Sequence, residues 1–276
     1  MEILDYGVCR LSVVPVRKTG TDQAELVTQL LFGDDYEVIE MSQDRKWIKI
    51  HIHFDRYEGW IDALQHHAVT KEYFDYAGSA EFKITTDITS SLLYNKAPVP
   101  VLLGSIIPIT GSELFRMEEQ FAFNGDSKSL GLKREFEFLA NIALKYLNGP
   151  YLWGGKTPFG IDCSGFVQMV FKIAGYRLFR DAWQQASQGK AIKSFEERRP
   201  GDVAFFRNGE NKIVHTGILL DDARIIHASG RVRIDRLGEQ GIFNHENGAR
   251  THEFSHIRRI LAYRKNRCPP RTPLFL

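Results

Sequence analysis

The pattern of apolar residues changes at about residue 132, and this change strongly limits the folds open to the chain. Before it, short segments alternate apolar and polar residues with the period of a strand, divided by Gly, Pro and polar turns. After it, apolar residues first recur at helical spacing and then form a run of strands. Helices followed by strands predict an α+β domain in which helices pack on an antiparallel sheet. The chain is therefore predicted to be all-β in its first half and α+β in its second.

The first half contains enough strand segments for two small barrels. Four alternating segments lie within the first 70 residues: 7–16, 36–41, 47–52 and 57–61. Short strands at this spacing predict a barrel over residues 1–70, and Ala24–Gly33 is predicted to add one helical turn. Residues 71–127 contain further short strand segments and predict a second, more degenerate barrel. A single β domain over both regions is the alternative.

Two helices and a set of strands are predicted after residue 132. Apolar residues at helical spacing predict a helix over 136–147, which ends at an Asn-Gly-Pro turn. A second helix begins at Cys163 and stops at Gly175. Four strands follow: 202–206, 213–220, 225–229 and 232–234. The polar stretch 236–254 predicts a mobile loop that overhangs a site.

Cys163 is the first candidate for chemistry. Gly160 and Asp162 lie where the second helix begins, so Cys163 falls in its first turn, at the positive end of the helix dipole. This position favours the thiolate, which is the nucleophilic form of cysteine. A buried structural cysteine is the alternative.

Two strand histidines follow this cysteine. Cysteine catalysis needs a base within hydrogen-bond reach of the sulfur and a group that orients the base. His215 and His227 lie in apolar strands on either side of a turn, so neighbouring antiparallel strands bring both to one face. Each histidine alone fits a partly buried structural role equally well. Their pairing with a helix-start cysteine favours catalysis.

Composition excludes several other classes of protein. The chain has 276 residues, 43% of them hydrophobic and 25% charged, as in an ordinary globular protein. A formal net charge of +2 favours neither nucleic acid nor an anionic membrane as a partner. No segment approaches the run of about 18 apolar residues that a membrane span needs. The first residues lack a signal-peptide pattern, so a cytoplasmic protein is expected. If an export signal has been removed, a periplasmic or secreted protein is expected instead.

No metal or cofactor is predicted. The three cysteines (Cys9, Cys163 and Cys268) are too scattered for a disulfide framework or a four-thiolate zinc site. The histidines other than His215 and His227 have no recognisable metal-ligand spacing and are assigned to solvated loops. They are His51, His53, His66, His67, His245, His252 and His256.

Five motifs occur in the order found in the NlpC-type cell-wall peptidases. They are Tyr151-Leu-Trp-Gly-Gly, Asp162-Cys-Ser-Gly-Phe, Arg199-Pro-Gly-Asp-Val-Ala-Phe-Phe, His215-Thr-Gly-Ile and Ile225-Ile-His-Ala-Ser. Members of this family are papain-like cysteine peptidases that cut the stem peptides of peptidoglycan. The resemblance implies a papain-like peptidase domain over residues 128–276. It also implies that the strands of residues 1–70 and 71–127 form bacterial SH3-like domains.

The resemblance assigns catalytic roles to four residues. Cys163 matches the nucleophile, His215 the general base and His227 the group that holds the base. Tyr151 matches the residue that lines the oxyanion site. The backbone N–H of Cys163, at the helix start, is a second natural donor for the oxyanion.

With two SH3-like domains in front, the chain resembles more closely the γ-D-glutamyl-L-diamino acid endopeptidases. Those enzymes act on stem-peptide fragments that begin with a free L-Ala amine. The resemblance implies that Asp181 binds this amine, since an ammonium in a partly desolvated pocket needs a carboxylate partner. The further substrate-binding residues that it implies are Asp162, Ser164, Trp153, Tyr57 and Glu25.

The predicted function is therefore hydrolysis of the bond between γ-D-Glu and a diamino acid, either meso-diaminopimelate or L-Lys. The expected partner is a murein peptide with a free N-terminal L-Ala, and the expected role is recycling of cell-wall peptides. A transpeptidase or amidase on the same fold is one alternative. A catalytically silent protein that binds wall peptides is the other.

Overall fold

The computed structural model describes residues 2–109 and 121–261. Cys268 lies outside these residues. The described residues divide into two compact units, which are treated separately below. One unit lies within Met1–Leu132 and Trp153–Pro158, and the other within Lys133–Leu152 and Phe159–Leu276. None of the described helices is long and apolar enough to cross a membrane.

The first unit begins with a seven-stranded antiparallel sheet. Its strands are β1 (Asp5–Val8), β2 (Val13–Arg17), β3 (Leu26–Leu31), β4 (Asp35–Met41), β5 (Trp47–Ile52), β6 (Glu58–Asp62) and β7 (Ala68–Val69). They pair in the order β3-β2-β6-β5-β4-β1-β7. Alternate side chains, such as Ile48 and Ile50 of β5, point into a common apolar core, which is the arrangement that period-two patterning predicts.

The helical turn predicted within Ala24–Gly33 is wrong. Leu26–Leu31 is strand β3, which pairs with β2 and contributes Leu30 to the core. Val27 and Thr28 are β-branched and suit a strand better than a helix, and pairing with β2 satisfies the backbone of the segment.

The remainder of the first unit consists of short elements. They are α1 (Lys71–Ser79), β8 (Lys83–Thr85), β9 (Thr89–Tyr94), β10 (Ala97–Leu102), β11 (Ile106–Ile107), β12 (Phe121–Asn124), β13 (Ser127–Ser129) and β14 (Lys156–Thr157). Six of these strands form two three-stranded sheets, β10-β9-β12 and β11-β8-β13. Phe32, from the end of β3, packs into the apolar cluster of this region with Leu92 and Val101. A second SH3-like domain over residues 71–127 remains a prediction.

The second unit is α+β and antiparallel, as predicted. Its elements are α2 (Phe136–Lys145), β15 (Gly160–Ile161), α3 (Cys163–Ile173), α4 (Ala182–Gln185), β16 (Lys190–Ile192), β17 (Val203–Arg207), β18 (Ile213–Leu219), β19 (Arg224–Ser229), β20 (Arg231–Gly238), β21 (Gly241–Phe243) and β22 (Arg250–Arg259). The sheet order is β16-β22-β17-β18-β19-β20-β21. Because β21 also pairs with β22, six of the seven strands close into a barrel. The buried helix α3 packs against α2 and against β18 and β19.

The mobile loop predicted over 236–254 is wrong. The end of β20, all of β21 and the start of β22 occupy most of this stretch. Polar residues are frequent here because barrel strands expose one face to solvent. The alternation of apolar and polar residues that marks a strand is therefore weak in this stretch. Three histidines assigned to loops are also in strands: His51 in β5, and His252 and His256 in β22.

Candidate active site

Helix α3 begins at Cys163 because Asp162 caps it. The Asp162 side chain accepts a hydrogen bond from the backbone N–H of Gly165 at 2.6 Å, which satisfies one of the free donors at the helix start. Cys163 is buried, with 6% of its surface exposed. Its thiol lies beside the backbone N–H groups of Thr216 and Ser164, which favour the thiolate. The predicted nucleophile therefore sits where α3 packs against β18.

Burial of Cys163 opposes the thiolate that the helix dipole favours. Burial raises the pKa of the Cys163 thiol to about 12, and the Asp162 carboxylate also raises it. The neighbouring N–H groups and the Arg180 guanidinium oppose this rise but do not overcome it. Desolvation of a buried charge outweighs the dipole of one helix end. Cys163 is a neutral thiol that needs a base.

His215 and His227 lie on the same face of the sheet, as predicted. In the pairing of β18 with β19, Ile218 lies opposite Ile226, which places His227 opposite Gly217 and diagonal to His215. A Cβ at Gly217 would come within 2.8 Å of the His227 Cβ, so only glycine leaves room for this ring. His215 Nε2 and His227 Nδ1 are 2.8 Å apart and share a hydrogen bond.

Asp235 is a member of this cluster that the sequence did not predict. Its Oδ2 lies 3.0 Å from His227 Nε2, and both side chains are almost fully buried. Arg233 and the backbone N–H of His245 also donate to Asp235. Burial raises the pKa of the Asp235 carboxyl, but these hydrogen bonds lower it to about 2, so the group is ionised. The sequence feature that could have indicated Asp235 is its position on β20, the strand that follows the strand of His227.

The hydrogen-bond chain determines where the imidazole protons are. Burial lowers the pKa values of both His215 and His227, so both rings are neutral. His227 Nε2–H donates to the Asp235 carboxylate, and His227 Nδ1 therefore accepts from His215 Nε2–H. This leaves the Nδ1 of His215 unprotonated. His215 is therefore in the tautomer that can accept a proton at Nδ1.

His252 is the third histidine of the cluster. Its ring, on β22, stacks on that of His215 with centroids 4.0 Å apart and planes 22° apart. Strand β17 pairs with both β18 and β22, which places His252 two strands from His215, and the spacing along the chain does not reveal this. Burial lowers the pKa of His252 to about 4, so this ring is also neutral.

Tyr151 lies near Cys163 and Asp162. Burial raises the pKa of the Tyr151 hydroxyl, and the Asp162 carboxylate raises it further. The hydroxyl is therefore protonated and available as a donor, as the predicted oxyanion role requires.

Asp162 and Ser164 share an ion-pair network with Arg180, which the sequence did not predict. Arg180 is 1% exposed, and its two terminal nitrogens donate to the two oxygens of Asp162 at 3.0 and 2.6 Å. Arg180 also donates to Ser164 Oγ at 2.9 Å. Asp181 follows directly in the chain, is half-buried and caps the short helix α4. The network thus fixes the backbone on both sides of the predicted nucleophile and next to the predicted amine-binding residue.

The other three predicted substrate-binding residues belong to the first unit. The Trp153 Nε1–H donates to Glu25 Oε1 at 2.7 Å, although the Trp153 side chain is 60% exposed. Hydrogen bonds from Lys18 and Trp153 lower the pKa of Glu25, so its carboxylate is ionised. Tyr57 is half-buried and packs on the core of the seven-stranded sheet. Their roles in substrate binding remain predictions.

The two units define the class of protein: an SH3-like β domain followed by a papain-like α+β domain. Residues 148–251 match the NlpC/P60 family, and residues 16–65 match the bacterial dipeptidyl-peptidase SH3 domain. The chain therefore contains a domain of the NlpC/P60 cysteine peptidase family, preceded by a bacterial SH3 domain of this kind.

Several known proteins are similar to most of this chain. The chain is 28% identical to dipeptidyl-peptidase 6 of Lysinibacillus sphaericus, over 79% of this chain and 86% of that protein. It is 24% identical to a γ-D-glutamyl-L-lysine dipeptidyl-peptidase of Bacillus subtilis, over 73% of this chain and 71% of that protein. The crystal structure of an NlpC/P60 family protein from Bacillus cereus has the same fold, with a TM-score of 0.77 and 21% identity. The match covers 93% of this chain and all of that one.

Proposed function

We propose that the protein is a cysteine endopeptidase that hydrolyses the bond between γ-D-Glu and a diamino acid in stem peptides with a free N-terminal L-Ala. The observation that carries the proposal is the hydrogen-bond chain from Asp235 through His227 to His215, in the domain where α3 begins at Cys163. Two relatives are named γ-D-glutamyl-L-lysine dipeptidyl-peptidases, and these names support the choice of bond.

The proposed acylation step starts from a neutral thiol. Cys163 Sγ attacks the γ-carbonyl carbon of D-Glu while its proton passes to His215 Nδ1. The backbone N–H of Cys163 and the Tyr151 hydroxyl stabilise the oxyanion. The C–N bond then breaks, and the amine of the diamino acid leaves with the proton from His215. Water attacks the thioester with His215 as base, which releases the γ-carboxyl group and restores the thiol.

Asp181 is the proposed partner of the substrate amine. A free L-Ala amine is a cation at neutral pH, and a carboxylate in a partly desolvated pocket compensates for the water that it loses. The amide nitrogen of a glycan-linked stem carries no charge and gains nothing from such a partner. This preference is the basis for proposing a role in recycling of released stem peptides.

Mass spectrometry of L-Ala-γ-D-Glu-diaminopimelate and its L-Lys counterpart tests the bond and the nucleophile together. We expect wild-type protein to release L-Ala-γ-D-Glu and Cys163→Ala to release nothing. Release of a different fragment would contradict the proposed bond. Absence of any release by folded wild-type protein would contradict the proposed hydrolase.

A second comparison tests the amine site. We expect N-acetylation of L-Ala, or the substitution Asp181→Asn, to raise KM for the peptide with less effect on kcat, because each removes an interaction made before the reaction. Glu210→Gln is the matched control, since Glu210 is an exposed carboxylate paired with Lys212. Equal cleavage of free and acetylated peptides would rule out the recycling role.

A further inference from the structure

We propose that His215, His227 and His252 form a zinc site that inhibits the enzyme reversibly. Each of these histidines offers one ring nitrogen, and the three nitrogens lie within 4.8 Å of one another. They come from three strands of the barrel, β18, β19 and β22. Metal binding is independent of the function proposed above, whereas the inhibitory effect depends on it.

The spacing is close to that of a three-histidine zinc site. Nitrogens bound to one tetrahedral Zn²⁺ at about 2.0–2.1 Å lie about 3.3–3.4 Å from each other. His215 Nε2 and His227 Nδ1 are 2.8 Å apart, so this pair has to open by only about half an ångström to hold the ion. His252, stacked on His215 at 4.0 Å, has to approach.

The surrounding hydrogen bonds match those that support metal-bound histidines. Such a histidine usually donates its other ring N–H to a carboxylate or another oxygen, which fixes its orientation. His227 Nε2 donates to Asp235 Oδ2 in this way, and Nδ1 of His252 lies 2.9 Å from Thr251 Oγ1. These contacts leave Nδ1 of His227 and Nε2 of His252 for a metal. The buried Asp235 carboxylate also offsets part of the added positive charge.

The donor set selects for zinc over the abundant hard cations. Three imidazole nitrogens suit Zn²⁺, whereas Mg²⁺ and Ca²⁺ prefer oxygen ligands. Three protein ligands leave a fourth position, which water would fill. The site therefore differs from a zinc ion held by the Cys163 thiolate, which would need a deprotonated sulfur.

Zinc at this position would block the proposed base. Binding to Nε2 of His215 requires a lone pair there, so the proton that this nitrogen shares with His227 has to move to Nδ1 of His215. Nδ1 then carries the proton and cannot accept another from Cys163. The Nε2–H bond of His215 breaks and an Nδ1–H bond forms, with no change in the number of protons on the ring, and removal of zinc by a chelator would restore the original tautomer.

Calorimetric titration with Zn²⁺ tests the site without reference to activity. We expect Cys163→Ala, which has no thiolate to bind the metal, to bind one Zn²⁺ per chain. Introducing His252→Phe into the Cys163→Ala protein keeps an aromatic ring over His215 but removes the ring nitrogens of His252. We expect this substitution to weaken zinc binding at least 100-fold. Adding Asp235→Asn should weaken binding by about 10–100-fold, the usual effect of losing a carboxylate behind a histidine ligand. Adding His51→Gln, which removes a histidine of the first unit, is the matched control and should change nothing.

Peptide cleavage in zinc buffers tests the inhibition. We expect zinc to inhibit the wild-type protein and EDTA to reverse the inhibition. The activity of each variant is expressed relative to its own rate without zinc. On this scale, we expect His252→Phe to need at least a tenfold higher zinc concentration for the same degree of inhibition. Equal zinc affinity with and without His252, or binding that is lost in Cys163→Ala, would overturn the proposal. If no peptide is cleaved, the proposed hydrolase fails, but the titration still decides whether the zinc site exists.

Discussion

The hydrogen bonds of His227 assign the protons in the candidate site. Asp235 accepts from one ring nitrogen, so the other has to accept from His215, and the free lone pair of His215 is at Nδ1. The same burial that keeps both rings neutral keeps the Cys163 thiol protonated. At the scale of single residues, the resting site therefore holds a neutral thiol and a neutral base.

Replacement of Asp235 tests its role in positioning His227. In Asp235→Asn the amide can donate to His227 Nε2, which would reverse the tautomers of both histidines. We expect kcat for the stem peptide to fall by about 10–100-fold with little change in KM, because Asp235 acts through His227. Asp221→Asn is the control, since Asp221 pairs with Arg224 at the turn between β18 and β19. An unchanged kcat in folded Asp235→Asn would show that the carboxylate does not set the tautomer.

Alkylation of Cys163 by iodoacetamide tests its protonation. Because burial raises the pKa of the thiol to about 12, we expect slow alkylation at pH 6. The rate should then rise about tenfold per pH unit through pH 7–9, in step with the thiolate fraction. Cys163→Ala supplies the background from the other cysteines. Fast alkylation at pH 5–6 would instead indicate a preformed thiolate–imidazolium pair.

The start of α3 depends on a buried ion pair as well as on its own residues. Asp162 caps the helix, but its carboxylate is buried and is paired with Arg180 from beyond the far end of the helix. Arg180 in turn holds Ser164, so one guanidinium contacts both neighbours of Cys163. At the scale of elements, this network fixes the helix start where the predicted nucleophile lies.

Removal of Arg180 should therefore destabilise the second unit. Arg180→Met leaves a buried, uncompensated carboxylate at Asp162, and we expect the free energy of unfolding to fall by about 3–5 kcal/mol. Urea unfolding, followed by fluorescence, measures this change. The matched control Arg207→Met removes an exposed pair with Glu253 and should cost about 0–1 kcal/mol. Equal effects of the two substitutions would contradict the role given to the buried pair.

At the scale of the whole molecule, the chain passes between the two units three times. After Leu152 it enters the first unit for residues 153–158 and returns to the second unit at Phe159. Within the first unit, the backbone N–H of Lys156 donates to Gln29 Oε1 at 2.7 Å, and Trp153 donates to Glu25. The second unit is therefore interrupted in sequence by a segment that belongs to the first unit.

Gly154→Ala tests the attachment of this segment. Gly154 has φ +77°, and a Cβ there would lie 2.3 Å from the backbone oxygen of Leu26. We expect a loss of about 1–3 kcal/mol in stability, from strain at a left-handed position combined with this clash. A lower Tm and faster proteolysis at Lys156 would show this loss of stability. Gly209→Ala is the control, since a Cβ at Gly209 meets nothing. Identical behaviour of the two variants would show that the segment tolerates the side chain.

Several features were predictable because their signals are local. The helix that starts at Cys163 follows from a capping aspartate and apolar spacing, and the strands of His215 and His227 follow from short apolar runs. The strand β3 was mistaken for a helical turn because a short apolar run before a glycine fits both structures, and only its pairing with β2 decides. The segment 236–254 was mistaken for a loop because exposed polar residues are frequent both in its strands and in the turn between β21 and β22.

The sequence by itself determined the two-part architecture and predicted the Cys163, His215 and His227 set, because periodicity, caps and motif order are properties of neighbouring residues. Only the tertiary structure revealed Asp235, His252 and Arg180 as partners of that set. The pairing of β17 with β18 and β22 brings His252 towards His215, and the register of β19 and β20 brings Asp235 to His227. The tertiary structure also decided the charge of Cys163, because the desolvation that raises its pKa arises from everything packed around it and outweighs the local helix dipole.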